Sequence, residues 1–227
     1  IRFIMKIQNL DYGFPLILID DFYNYWEIGQ IWSELKELTE ADVFLDPHQS
    51  WSAVEHGKFL KNNKCIHLDE YYQENRSYSK IMRINRKIFE KNVFETNKSF
   101  FFRDFMPLCD FDSSLLSYYE DSHYYSPHKD SAMVTSLCWF FQEPKRFTGG
   151  ELLFPEYKVH IELHNNRMVI FPGFIQHQVT EVVMEEKYKN KGLGRWCMTQ
   201  FLATKFTESE NVESHHGGKL FSSQKSD

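Results

Sequence analysis

The sequence predicts a mainly β protein, a sandwich or barrel with helices packed outside it. Aromatic residues make up 17% of the 227-residue chain, with 21 Phe, 12 Tyr and 5 Trp, a composition suited to pleated, half-buried surfaces. From residue 114 onward short β-rich runs follow one another: LLSYYE, AMVTSLCWFF, GELLF, KVHIEL, RMVIF, HQVTEVVM and RWCMTQFLA. Turn-like clusters such as EPKRFTGG, HNN, PG and KNKGLG separate them, as in a sandwich or barrel. Helical patterns precede these runs and do not alternate with them, which argues against a βαβ sheet.

Taken in order, residues 14–22 (FPLILIDDF) read as a buried strand ending in an acidic turn. Asn24 is placed to cap a helix that carries Ile28, Ile31, Trp32, Leu35 and Leu38 on one face. Residues 39–76 are polar with weak periodicity and read as irregular, with one or two short strands. Ser77 is expected to cap a second helix with Ile81, Ile84 and Ile88 along its buried stripe. The organisation is one domain over 1–207, with helical support over 1–110 and a β-core over 111–207. A polar, mobile tail follows over 208–227.

Lys and Arg number 26 against 32 Asp and Glu, a net charge of -6, which disfavours a nucleic-acid partner. The longest apolar runs, residues 15–19 and 168–171, are too short to span a bilayer, so no membrane association is expected. Residues 1–10 are too short and interrupted for a signal peptide. Cys65, Cys109, Cys138 and Cys197 form no CxxC pair, and a reducing, cytoplasmic compartment is the expectation.

Two His-x-Asp patterns occur, at His67–Asp69 and His128–Asp130. The second sits between an aromatic strand (LSYYEDSHYYSPHKD) and a long apolar one. In extended chain residues i and i+2 project to the same side, so His128 and Asp130 can reach one metal ion together. His177, in RMVIFPGFIQHQVTEV, is the candidate third ligand. Two imidazoles and one carboxylate are the ligand set of non-heme Fe(II) oxygenases, and catalytic zinc sites also use it. Arg195, on a buried strand farther along, favours the first, because Arg grips a carboxylate through a two-pronged hydrogen bond. His67 and Asp69 read as surface-loop residues. The tail histidines His215 and His216 are given no site, and His123, His160 and His164 no role.

The stretch over about 115–202 resembles the 2-oxoglutarate and Fe(II)-dependent dioxygenases, in their prolyl 4-hydroxylase-like branch. The resemblance is carried by Tyr119, by Tyr125-Ser126-Pro127-His128-Lys129-Asp130, by Gly149-Gly150-Glu151 with Phe154-Pro155, by Pro172-Gly173 with His177 and Val179, and by Arg195 with Thr199. It implies a double-stranded β-helix, a jelly roll with its ligands facing inward from one end. It implies Fe(II) held by the catalytic ligands His128, Asp130 and His177, and 2-oxoglutarate held by Arg195, Tyr119 and Thr199. O2 is the second cosubstrate, and ascorbate an accessory reductant. Tyr125 and Trp139 are candidates for the substrate side. The sequence departs from the branch at Ser122, where glycine is usual, and in a longer interval before Arg195 (EEKYKNKGLG), read as an extended hairpin. A third departure is Trp139, where some relatives place a cosubstrate-binding tyrosine. Gly149 and Gly150 read as a structural turn.

The activity implied is hydroxylation of a C–H bond, with release of succinate and CO2. The branch points to a peptidyl proline or similar protein side chain. Trp51, Tyr71, Tyr72 and Tyr125 would line a groove, and residues 42–76 would form a mobile cover. Competing readings are hydroxylation of a free amino acid or other small molecule, nucleic-acid dealkylation, and a non-catalytic jelly-roll binding module.

Overall fold

In the computed structural model, which describes residues 5–50, 54–90 and 97–204, two antiparallel sheets face each other and helices cover the outer face of the larger one. Trp51 and the expected tail lie outside the described residues. The first half of the chain forms β1 (Lys6–Asp11), β2 (Pro15–Asp20), α1 (Tyr25–Glu40), β3 (Val54–Glu55), β4 (Lys58–Phe59), β5 (Lys61–Asn62), β6 (Lys64–His67), α2 (Leu68–Tyr71) and α3 (Lys80–Asn85). The second half forms β7 (Phe111–Tyr119), β8 (Tyr124–His128), β9 (Val134–Phe140), β10 (Phe147–Gly149), β11 (Leu152–Phe154), β12 (Val159–Ile161), β13 (Met168–Pro172), β14 (His177–Val179), β15 (Val182–Met184) and β16 (Arg195–Ala203). The larger sheet runs β1-β2-β13-β9-β16-β7-β6 and the smaller β12-β11-β14-β8-β5, the jelly-roll arrangement expected. Among the described residues, no helix is long and apolar enough to cross a membrane.

Strand alternation divides the core in two. From the larger sheet Ile17, Ile19, Cys138, Phe140, Met168, Ile170, Trp196 and Met198 point outward and pack on Ile31, Leu35 and Leu38 of α1 and Ile81 and Met82 of α3. Their neighbours Leu16, Leu18, Leu137, Trp139, Val169, Phe171 and Cys197 point inward and meet Leu152, Phe154 and Val179 of the smaller sheet. Strands covered on both faces lose the polar alternation, which is why β13 is buried throughout.

The cap of α1 is as expected. Asn24 Oδ1 accepts from the Trp26 and Glu27 amides, and Glu27 Oε2 accepts from the Asn24 amide at 2.7 Å. The second helix begins later than expected. Ser79, not Ser77, caps α3 by accepting from the Met82 amide, and Ser77 belongs to a preceding 3-10 turn capped by Asn75. That helix stops at Asn85, and Ile88 sits in the 3-10 turn that follows.

The N-terminal part is more than helical support. β1 and β2 extend the larger sheet, with β2 paired to β13. The expected irregular stretch also contributes: β6 pairs with β7 and β5 with β8, so a short connection through Asn63 closes one side of the roll. Residues 61–67 are therefore wall, not cover. The interval before Arg195 is not a hairpin on β16 either. β15 pairs with β10, and the chain then makes a 3-10 turn over Glu186–Tyr188, with Lys189 3.0 Å from Asp121.

Candidate active site

His128 ends β8, and His177 begins β14 directly opposite it in the register. Asp130 follows in the loop after β8, where its amide donates to the Gly173 carbonyl at 2.9 Å. Gly173 in turn donates to Met133 O, so the loops bearing Asp130 and His177 are tied to each other. A Cβ at Gly173 would lie 2.2 Å from the Ala132 carbonyl, so only glycine permits that approach.

These ties bring the imidazole nitrogens and carboxylate oxygens of His128, Asp130 and His177 within 4.8 Å of one another. Each imidazole is held through Nδ1, which faces a carbonyl: Ser126 O at 2.8 Å for His128 and Ile175 O at 2.9 Å for His177. A carbonyl only accepts, so Nδ1 carries the proton and Nε2 presents its lone pair inward. The Nε2 atoms stand 3.7 and 3.5 Å from the two Asp130 oxygens. Thr135 Oγ1 donates to Asp130 Oδ2 at 2.6 Å and fixes the carboxylate. The Tyr125 ring stacks on His128 at 3.5 Å between centroids, and Phe171 packs edge-on against His177. Burial, with His177 close by, lowers His128 to about 4, so its imidazole is neutral and ready to ligate at neutral pH.

The three residues line a cavity of about 240 Å³ that continues between the sheets to Arg195. Arg195 is 0% exposed, and none of its three guanidinium nitrogens has a hydrogen-bond partner. Its carbon stands 4.6 Å from the Tyr119 ring centroid and 5.7 Å from that of Trp139. A fully buried cation with no acid beside it is costly unless an anion joins it. Tyr119 and Thr199 line the same cavity, and burial pushes the Tyr119 phenol well above its ordinary pKa, keeping it a proton donor.

The structure brings His128, Asp130, His177, Arg195, Tyr119, Thr199 and Tyr125 together around this one cavity. Trp139 is placed differently. It is fully buried beside the guanidinium, 5.7 Å from it, and does not line the cavity, whereas Leu137, two residues earlier on the same face of β9, does. His67 and Asp69 are not surface-loop residues. His67 lines the cavity, and Asp69 is buried, 3.1 Å from Arg76 and accepting from the Ser114 amide. Ser122 has φ +64°, the left-handed conformation for which glycine is the usual choice. Thr135 was not singled out by the sequence; its place five residues after Asp130, at the start of the next strand, was the signal available.

A buried 2-His-1-carboxylate cluster at one end of a jelly roll, with an unpaired guanidinium farther in, suits a metal and an anionic cosubstrate. Residues 114–203 match the family model of the 2OG-Fe(II) oxygenase superfamily, so this segment is similar to that superfamily. The superfamily uses Fe(II), 2-oxoglutarate and O2, and the donor set and orphaned guanidinium described here fit that metal and that dicarboxylate. No curated protein matches the chain.

Among solved structures, a prolyl-4-hydroxylase from Pseudomonas putida is similar with a TM-score of 0.51 and 13% identity, over 83% of this chain and 92% of that one. A prolyl hydroxylase from Trichoplax adhaerens, solved with a hypoxia inducible factor peptide fragment, is similar with a TM-score of 0.51 and 12% identity, over 82% of each chain. The non-heme alpha ketoglutarate dependent epimerase SnoN from nogalamycin biosynthesis is similar with a TM-score of 0.52 and 9% identity, over 84% of this chain and 78% of that one. At these identities the likeness is one of fold.

Proposed function

We propose that the protein is a 2-oxoglutarate- and Fe(II)-dependent hydroxylase acting on a peptidyl proline or similar protein side chain. The observation that carries the cosubstrate is Arg195, a buried guanidinium without an acid partner at the inner end of a cavity whose other end is His128, Asp130 and His177. The prolyl hydroxylase neighbours, one of them solved with a peptide, favour the substrate class.

In this reading the Nε2 atoms of His128 and His177 and one Asp130 oxygen hold Fe(II), while Ser126 O, Ile175 O and Thr135 keep those groups aimed. Arg195 neutralises the distal carboxylate of 2-oxoglutarate, with the Tyr119 and Thr199 hydroxyls as additional donors. Together, bound Fe(II), 2-oxoglutarate and O2 supply the oxidising chemistry that hydroxylates an unactivated C–H bond and leaves succinate and CO2. The apolar walls Leu115, Leu137 and Val179 exclude water around it.

The test is anaerobic reconstitution with Fe(II), followed by 2-oxoglutarate. A visible metal-to-ligand charge-transfer band is expected, lost in His128→Ala and needing far more 2-oxoglutarate in Arg195→Ala. Absence of the band with fully loaded metal would remove the cosubstrate from the reading. Proline-containing peptides that gain no oxygen in a competent enzyme would remove the substrate class.

A further inference from the structure

The cavity holds a second orphan besides Arg195. His67 ends β6, an edge strand that packs on β7 through Lys64↔Tyr118, Cys65↔Ser117, Ile66↔Leu116 and His67↔Leu115. Leu115 is paired with Thr199, and Thr199 with Leu137. Directly paired residues project to the same face of a sheet, so His67, Leu115, Thr199 and Leu137 form one inward-facing row. All four line the cavity. The His67 Nε2 atom is inaccessible and has no hydrogen-bond partner.

Two orphans in one cavity call for two ligand groups. Arg195 and Thr199 lie on the same strand four residues apart, about 13 Å along it at the usual strand rise. His67 lies two strands beyond Thr199 in that row, about 10 Å across the sheet at the usual strand spacing, so one five-carbon dicarboxylate held by Arg195 and Thr199 and reaching the metal ligands does not also extend to His67. The lining beside His67 is Lys61, Ser113 and Ser117, and the charged groups around the whole cavity are Lys61, Lys129 and Arg195 against the single acid Asp130. Burial, with Lys61 nearby, lowers His67 to about 4, so the ring is neutral at neutral pH. A neutral imidazole on an electropositive wall suits an oxygen acceptor, toward which it turns an N–H.

We propose that His67 is a specificity-determining residue that donates a hydrogen bond from Nε2 to a carbonyl or carboxylate oxygen of the substrate. This rests on the hydroxylase reading above. Two sources supply that oxygen, the backbone carbonyl of a peptidyl residue and the carboxylate of a free amino acid. A substrate lacking an acceptor there would leave Nε2 buried and unpaired, and such groups discriminate strongly.

The experiment uses the full chain loaded with Zn(II), in place of Fe(II), and 2-oxoglutarate. Two probes are titrated, N-acetyl-L-proline methylamide, which offers only amide carbonyls, and free L-proline, which offers a carboxylate. Nitrogen-15 spectra follow the His67 ring, and calorimetry gives the affinities. One probe is expected to shift the Nε2 resonance saturably; His67→Ala weakens that probe at least tenfold, and His67→Gln, whose amide reaches a similar point, keeps it within about threefold. Affinity for 2-oxoglutarate changes less than twofold in both variants, which also reports that they fold. The probe that binds identifies the source. Equal binding of the probes by wild type and His67→Ala overturns the proposal, as does failure of both to bind a protein that takes up 2-oxoglutarate. A wild-type protein that takes up no 2-oxoglutarate overturns the underlying reading instead.

Discussion

Arg195 and Tyr119 are direct partners across β16 and β7, and the pairing lays the guanidinium over the phenol ring at 4.6 Å from its centroid. The ring holds the cation by its face and leaves the guanidinium nitrogens, which would otherwise be spent on neighbours, open to an incoming ligand.

This arrangement trades stability for binding. Arg195→Met is expected to stabilise the ligand-free protein by roughly 2 kcal/mol, by removing an unpaired buried charge. Saturating 2-oxoglutarate with Zn(II) stabilises the wild type by about 2.7 kcal/mol at a hundredfold excess over Kd and leaves the variant unmoved. Chemical denaturation with and without the dicarboxylate measures both. A variant less stable than wild type in the ligand-free state would contradict the account.

Gly150 lies beside the same guanidinium stem, where a side chain would not fit. It sits at φ +71°, and a Cβ there would lie 2.7 Å from Arg195 Cδ and 3.0 Å from Val182 Cγ2. Gly150→Ala is expected to cost about 1–2 kcal/mol from the backbone alone. Its larger effect is to push Arg195 out of line, with 2-oxoglutarate affinity falling at least tenfold while metal affinity holds. Paired calorimetric titrations separate the two.

Thr135 is hydrogen-bonded to Asp130 of the candidate metal cluster. Thr135→Val keeps shape and removes the 2.6 Å hydrogen bond to Oδ2. Fe(II) or Zn(II) affinity is expected to fall roughly 10–100-fold, with little change in overall stability. Competition with a chromophoric chelator gives the number; an unchanged Kd would show the carboxylate to be held by other means.

The buried imidazoles make folding sensitive to acid. His67 and His128 are lowered from 6.5 to about 4 in the folded protein, chiefly by burial, so the unfolded chain takes up protons first as pH drops. Their contribution is whole above pH 6.5, declines as pH falls toward 4, and is constant below that. Each contributes a slope of at most about 1.4 kcal/mol per pH unit. Asp69 works in the opposite sense, since burial lifts it to about 6 despite Arg76 at 3.1 Å. His67→Gln removes one titrating imidazole and leaves Asp69 in place. Denaturation midpoints between pH 7 and 4 should therefore decline less steeply in that variant than in wild type.

What the sequence showed plainly were the elements whose residues satisfy one environment throughout. RWCMTQFLA occupies β16 from Arg195 to Ala203, and Asn24 with Glu27 announces the start of α1. What it hid were elements defined by their partners. β1 (KIQNLD) is an edge strand with one face exposed and reads as polar chain. HQVTEVVM looks continuous, yet β14 joins one sheet and β15 pairs with β10, because Thr180 and Glu181 turn between them. Sequence context also misassigned His67, since it follows the polar KNNK and precedes α2. Only the pairing of β6 with β7 turns it toward Thr199. The metal cluster was legible because His-x-Asp is a local pattern; the His67 row is assembled from four strands.

The Asn63 connection between β5 and β6 gives the jelly roll a clasp. One strand end fastens to each sheet, and both come from chain that precedes the 114–203 segment. The cavity is thus walled jointly by the matched segment and by chain that precedes it, and that earlier chain carries Lys61 and His67 into the lining. Cut at residue 110, the barrel would keep His128, Asp130, His177 and Arg195, yet stand open along a seam. If the proposed function holds, oxidant generated there would meet solvent as readily as substrate. On the proposed function, selectivity would reside in the clasp, and chain outside the matched segment would decide what is oxidised.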